Sequence, residues 1–160
     1  MKIAVLSDTH VGSIDSFPRK ILDELSGMDL TIHAGDYTEK KVLDGLRKLG
    51  NFKGVHGNMD SWEIKRELPS VETVEVGNHR IGINHPAEGG PALGLEDRIR
   101  VKFQDVSVII FGHTHLAENA YRNGLLYFNP GSATGTFPAL KKTFGILTVE
   151  KEIRGEILKL

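Results

Sequence analysis

Lys2-Ile3-Ala4-Val5-Leu6-Ser7-Asp8-Thr9-His10 runs from a short apolar stretch straight into polar, ligand-type residues. Its first six residues, Lys2–Ser7, include Ile and Val and read as a buried strand. Outward from it the pattern alternates. Ser16–Ser26 places Phe17, Ile21, Leu22 and Leu25 at helical spacing, with Ser16 as the expected N-cap and Pro18 in the first turn. Leu30–Ala34 reads as a second strand. Glu39–Leu49 reads as a helix with Val42, Leu43, Leu46 and Leu49 on one face and Gly50 as its stop. Phe52–His56 is a third, weaker strand. This β-α-β-α-β order implies a parallel sheet with crossover helices.

The second half has a different rhythm. Val71–Val76 and Arg80–Asn84 flank Gly77-Asn78, a hairpin signal. Leu93–Phe103 reads as a helix and Val106–Phe111 as a buried strand. Asn119–Arg122 and Leu125–Phe128 flank Asn123-Gly124, the signature of a type I′ turn. Thr143–Val149 and Ile153–Leu158 form a closing hairpin. A βαβ half followed by a mostly antiparallel half is accommodated by two sheets packed face to face with helices outside. The expected fold is therefore α/β, a four-layer αββα sandwich.

The chain has 160 residues, 20 Lys+Arg against 21 Asp+Glu, a formal net charge of −1 and no cysteine. That length suits a single domain over residues 1–160. A core of this size buries about two-thirds of the unfolded surface, so the fold needs no disulfide or metal merely to form. The missing thiol excludes a disulfide scaffold, a Cys-ligated zinc site, an iron–sulfur cluster and a cysteine nucleophile. Balanced charge gives no support for a sequence-independent nucleic-acid binder. The apolar start ends at Asp8, too early for a signal-peptide core. The longest later run, Val106–Phe111, falls far short of the ~20 residues of a membrane span. The expected location is the cytoplasm, with no membrane partner.

Five segments put ligand-type residues at or just after the C-terminal end of a predicted strand. They are Ser7-Asp8-Thr9-His10, His33-Ala34-Gly35-Asp36, Gly57-Asn58-Met59-Asp60, Asn84-His85 and Gly112-His113-Thr114-His115. Strand ends in α/β sheets are where loops converge into one crevice. Asp8 and His10 are two apart, so an extended backbone would point both the same way. Taken alone, Asp8 is as well explained as the cap of a turn. Asp36 after Gly35, and Asn58 after Gly57, are each compatible with plain turn chemistry. His85 alone would pass as a solvated loop histidine. His113 and His115 are harder to dismiss, since two imidazoles at the end of the most apolar strand are hard to justify as packing; two satisfied histidines are the alternative. His33 and His56 read as strand or supporting residues, and His79 as surface.

Together the segments say more. A mixed Asp/His/Asn set suits Mn, Fe, Co, Ni or Zn better than Ca, which prefers all-oxygen cages. Asp8, His10, Asp36, Asn58, His85, His113 and His115 are too many for one tetrahedral site, so two ions bridged by one carboxylate fit better. Two ions roughly 3.5–4 Å apart clamp the attacking and leaving oxygens of a phosphoryl transfer. The Walker-type phosphate loop, the dinucleotide fingerprint and the zinc-protease H-E-x-x-H are all absent from the sequence.

In order along the chain, Asp8-x-His10, Gly35-Asp36, Gly57-Asn58, His85 and Gly112-His113-Thr114-His115 resemble the five motifs of the calcineurin-like metallophosphoesterases. The resemblance is closest to their small, capless, YfcE-like phosphodiesterase branch. The motifs span residues 8 to 115, and Asn129-Pro130-Gly131-Ser132 also looks like this branch. The resemblance implies a two-sheet sandwich flanked by helices. It implies a first divalent ion on Asp8, His10, Asp36 and His115, and a second on Asp36, Asn58, His85 and His113, with Asp36 bridging. Manganese stands first among Mn, Ni, Fe, Co and Zn. Hydroxide held on the ions would attack phosphorus, with Asn58 stabilising charge on its oxygens. The partner implied is a small phosphodiester substrate, and a homo-oligomer is left open.

Two positions depart from the family pattern. Many members carry His after the Asn of the third motif, as the group that protonates the leaving oxygen; here Met59 stands there. The fourth motif usually reads His-Gly-His, whereas this chain reads His85-Pro86-Ala87. The ligand set is complete but no general acid is evident. Two function classes follow: a dinuclear phosphodiesterase for small or activated phosphodiesters, and a non-catalytic scaffold like the retromer subunit of the same fold.

Overall fold

The computed structural model describes residues 1–86 and 94–160. Strands β1 (Lys2–Leu6), β2 (Leu30–His33) and β3 (Phe52–Gly54) are joined by helices α1 (Arg19–Leu25) and α2 (Lys40–Leu49). They pair in parallel, with Ile3 opposite Leu30 and Thr31 opposite Phe52. Helix α3 (Trp62–Glu67) leads to β4 (Val71–Val76) and β5 (His79–Asn84); α4 (Leu95–Arg100) precedes β6 (Val108–Phe111). Strands β7 (Glu118–Arg122), β8 (Leu125–Asn129), β9 (Thr143–Val149) and β10 (Ile153–Lys159) complete the chain.

The strands form two five-stranded sheets, ordered β10-β9-β1-β2-β3 and β4-β5-β6-β8-β7. Both are mixed. In the second, β5, β6 and β8 run parallel, and antiparallel β4 and β7 close its edges. The halves of the chain therefore do not map one to one onto the sheets. The closing hairpin returns to the first sheet and pairs antiparallel with β1, through Ile3 opposite Leu147. The second half is thus less antiparallel than its hairpin signals suggest, because helix α4 carries a parallel crossover from β5 to β6.

Alternation sorts the side chains into layers. Ile3 and Val5 face the space between the sheets with Ile32, Ile81, Ile83, Val108, Ile110 and Phe128. Ala4 and Leu6 face outward, onto Ile21 and Leu25 of α1 and Val42, Leu43 and Leu46 of α2. Ile109 and Phe111 face the other way, onto Leu95 and Ile99 of α4. This is the four-layer sandwich expected. Phe128 links the layers: a Cβ on Gly145 would collide with its ring, and one on Gly155 would come within 2.6 Å. Burying such a ring contributes about 1.5–3 kcal/mol.

Local details differ at the ends of elements. Ser16 does not cap α1; it ends a 3-10 turn over Ile14–Ser16, and Pro18 occupies the cap position. The proline forces this, since the residue before it is pushed to extended backbone, and Phe17 has ψ 145°. Helix α3 was not anticipated, because six residues with one buried apolar side chain, Ile64, carry too little periodicity. The predicted Leu93–Phe103 helix is shorter, at Leu95–Arg100, and Leu93 lies outside the described residues. Asn123 and Gly124 both take positive φ, at 52° and 79°, as a type I′ turn requires. No helix among the described residues is long and apolar enough to cross a membrane.

Candidate metal centre

The seven predicted ligands lie in loops leaving the C-terminal ends of β1, β2, β3, β5 and β6. Five take a left-handed backbone: Asp8 (φ 51°), His10 (44°), Asp36 (61°), His113 (78°) and His115 (59°). Among the described residues only Thr38, Asp105 and Asn123 share that conformation without being glycine. Sparsely populated backbone of this kind costs about 1–3 kcal/mol per residue and persists where surrounding contacts over-determine it. The expectation that an extended chain aligns Asp8 with His10 is therefore corrected. A left-handed turn aims them, and hydrogen bonds hold it. Asp8 N–H donates to Gly35 O at 3.0 Å, while Thr9 and His10 N–H donate to Asp36 O at 3.0 and 3.2 Å. Ser132 Oγ donates to Asp8 O at 2.7 Å.

Two motif glycines are dictated by closeness. A Cβ on Gly57 would collide with Asp36 Oδ1. One on Gly112 would collide with Ser7 Oγ and sit 2.9 Å from Asp8 Oδ2. With these positions bare, the loops after β1, β2, β3 and β6 pack backbone against carboxylate. His113 N–H and Ser7 Oγ then both donate to Asp8 Oδ2, at 3.1 and 2.7 Å.

The donor atoms form two lobes. Asp8, His10, Asp36 and His115 each offer one atom within 4.8 Å of all the others. Asn58 Oδ1 lies 3.2 Å from His85 Nε2 and 3.1 Å from His113 Nδ1. Asp36 Oδ2 belongs to both lobes, 3.6 Å from His10 Nε2 and 3.4 Å from His85 Nε2. Asp36 Oδ1 is engaged by Met59 N–H at 2.9 Å, so the shared position is a single oxygen rather than one oxygen per lobe.

The donor chemistry fits cations. His85 Nδ1–H donates to Ala34 O at 2.8 Å and His115 Nδ1–H to Thr136 O at 2.9 Å. Their Nε2 atoms must then present lone pairs to the oxygens of Asp36, Asn58 and Asp8, which also carry only lone pairs. Such a gathering is relieved by a proton or a metal ion. Without metal, protons fill that need. For His85 burial opposes the charged form, but the Asp36 hydrogen bond and the Asp8 and Asp36 charges outweigh it and raise the pKa. His115 is raised by its hydrogen bond to Asp8, against burial. Burial holds His10 and His113 below their ordinary value despite the two carboxylates. Burial pushes Asp36 up, but bonding to His85 and to Met59 N–H reverses that and lowers it.

The other candidates fall outside the lobes. His33 is fully buried, stacks on Tyr37 at 3.8 Å between centroids, and is held well below its ordinary pKa by burial and then by His85. It supports the site: Gly35 N–H donates to its Nδ1 at 3.2 Å, so its proton sits on Nε2, 3.1 Å from Thr9 Oγ1. His56 Nδ1 is 3.3 Å from Gly57 O, and His79, partly exposed at the surface, is 3.4 Å from Ser107 Oγ. Met59 is 59% exposed beside Asn58, and Ala87 lies outside the described residues. The sequence reading gave no role to Asp60, Ser132 or Thr136, which hold the ligand loops. An acidic residue just past Gly-Asn was the only signal for Asp60, and Thr136 acts through its carbonyl, which has none.

The chain is similar to known proteins along nearly its whole length. The model of the calcineurin-like phosphoesterase superfamily domain matches residues 1–152. A probable metallophosphoesterase of Methanocaldococcus jannaschii is 34% identical over 165 residues, covering 100% of this chain and 82% of that protein. A solved archaeal phosphodiesterase is 28% identical, with a TM-score of 0.76 over 99% of this chain and 100% of its own. Vps29 of Entamoeba histolytica, solved with zinc, is 26% identical, with a TM-score of 0.76 over 99% of each chain. The chain belongs to the calcineurin-like phosphoesterase superfamily, in its small YfcE-like branch.

Proposed function

We propose that this protein is a dinuclear, metal-dependent phosphodiesterase acting on small or activated phosphodiesters. The observation that carries this reading is the single oxygen, Asp36 Oδ2, shared by two sets of donors. Asp8, His10 and His115 would hold one divalent ion with it, and Asn58, His85 and His113 the other. Manganese is the first choice among Mn, Ni, Fe, Co and Zn. Bound ions supply positive charge for the phosphoryl oxygens and acidify water toward ~7. The residues do the rest. Asn58 is exposed at the mouth, where its amide can bond a phosphoryl oxygen as charge develops. The carbonyls of Ala34 and Thr136 keep His85 and His115 in the tautomer that offers Nε2.

Met59 narrows the substrates. It stands exposed beside Asn58 and has no proton to give. A positioned acid contributes roughly 10²–10⁴-fold, so esters that need one should be poor substrates. The likeness to the archaeal phosphodiesterase supports a diester over a monoester. The cytoplasm is the proposed location.

The Vps29 likeness supports a second reading, a non-catalytic scaffold. One experiment separates them. Metal-stripped protein is reloaded with Mn²⁺ or Ni²⁺ and assayed on bis-p-nitrophenyl phosphate and p-nitrophenyl phosphate. Metal-dependent turnover favouring the diester supports the enzyme. No turnover with metal bound sinks it in favour of the scaffold, and preference for the monoester overturns the diester assignment.

A further inference from the structure

Asp60 is buried at 4% exposure, and no Lys, Arg or His among the described residues forms an ion pair with it. Its carboxylate is instead met by backbone. Asp36 N–H and Gly57 N–H donate to Oδ2 at 3.0 and 2.7 Å, and Thr38 N–H donates to Oδ1 at 2.8 Å. A carboxylate accepting several N–H groups makes charge-assisted bonds, stronger than neutral ones.

These donors belong to the two loops that must meet at the shared oxygen. Asp36 and Thr38 both have left-handed backbone, with φ 61° and 75°, a conformation ordinary side chains disfavour. Gly57 lies so close to Asp36 that a Cβ on it would collide with the Asp36 carboxylate. Asp60 therefore holds a strained turn against a neighbour that leaves no slack. The Met59 N–H that engages Asp36 Oδ1 is on the residue just before it.

We infer that Asp60 is the positioning residue of the metal centre: its three N–H bonds pin the β2 and β3 loops so that Asp36 Oδ2 stands where the two lobes meet, while Asp60 itself binds no ion. This rests on the two-lobed metal reading above. Asp60→Ala removes both acceptor oxygens and with them all three bonds. Asp60→Asn can keep its carbonyl toward Asp36 and Gly57 and loses the bond to Thr38.

The probe is Mn²⁺ alone, titrated calorimetrically into metal-stripped wild type and both variants, with circular dichroism as the check of folding. Asp60→Ala should bind about 10–100-fold more weakly, the usual cost of losing a partner of a ligand. Asp60→Asn should fall between it and wild type. In metal-free protein, amide hydrogen exchange at Asp36, Thr38 and Gly57 should speed up in Asp60→Ala, while the amide of Ile110 stays protected. A merely structural residue would lower Tm and leave Mn²⁺ affinity unchanged, and that result overturns the inference. If Asp60→Ala does not fold, Asp60→Asn decides alone, with unchanged affinity refuting the role. Wild-type protein that binds no Mn²⁺ overturns the metal reading, and this inference with it; binding by wild type and variants alike overturns the inference only.

Discussion

His10 and His115, 105 residues apart in the chain, bring their Nε2 atoms to 3.3 Å from one another. Two imidazole nitrogens at that distance have room for one proton between them. Both also face Asp8 Oδ1, at 4.0 and 3.2 Å. His115 is further constrained, since its other nitrogen is tied to Thr136 O. The fold has concentrated lone pairs at a point where a shared proton or a metal ion makes them compatible.

Asp36→Asn should weaken both lobes, because the oxygen that both share loses its charge. His115→Ala and His113→Ala should each weaken mainly one lobe, the first with Asp8 and His10, the second with Asn58 and His85. Elemental analysis of the three reloaded variants counts the ions. Two ions held by Asp36→Asn at wild-type affinity would show that the shared oxygen is not a bridge.

Chelation should abolish activity and leave the fold standing. The inter-sheet core of Ile3, Ile32, Ile83 and Ile110 is built without the ligand loops. A modest fall in Tm is expected, since ions that bind only the native state stabilise it by linkage, about 2.7 kcal/mol at a hundredfold excess over Kd. Far-ultraviolet circular dichroism after EDTA should be unchanged at room temperature. Its collapse would mean that the ions are structural.

His33 should make the metal-free protein acid-sensitive. Its folded pKa is depressed, so the native state binds fewer protons than the unfolded chain at that ring. The stability it contributes is present above the unfolded pKa of about 6.5 and is lost as pH falls below it, at up to about 1.4 kcal/mol per pH unit. His33→Gln should flatten the decline of Tm between about pH 6.5 and 5. The raised pKa values of His85 and His115 act in the opposite sense but are common to both proteins. An equal slope in wild type and variant would acquit His33.

Met59→His tests the missing acid. Nitrophenyl diesters leave without a proton, whereas alkyl esters need one, so wild type should strongly prefer the former. The variant should improve kcat/KM on alkyl esters more than on nitrophenyl esters, by up to the roughly 10²–10⁴-fold typical of a positioned acid. Equal wild-type rates on both classes, or a uniform change in the variant, would mean that another group already protonates the leaving oxygen.

Much of this molecule is legible in its sequence because the determining forces are local. Continuous apolar runs in β1 and β6 declare strands buried on both faces, and Asn123-Gly124 declares its turn because few residues accept positive φ there. The ligand-type residues announce themselves by standing where each strand stops. Segment Ser16–Pro18 departs from the capping expectation because a proline's effect on its predecessor outweighs the serine's capping preference. Helix α3 leaves no signal in the sequence because six residues are too few for a period to show.

What the sequence by itself determined is the order of the strands and of every helix but α3, the two apolar faces of the strands and the kinds of donor at their ends. Only the tertiary structure decided that the closing hairpin crosses back to β1 and that the second sheet runs largely parallel. It also decided that left-handed turns, rather than an extended chain, aim Asp8, His10 and Asp36 at one another. The reason is physical. Periodicity and turn chemistry are properties of neighbours in the chain. Sheet order, and the bonds that Asp60 makes to Asp36 and Thr38 across more than twenty residues, depend on which segments share the interior, and no local window of sequence contains both partners.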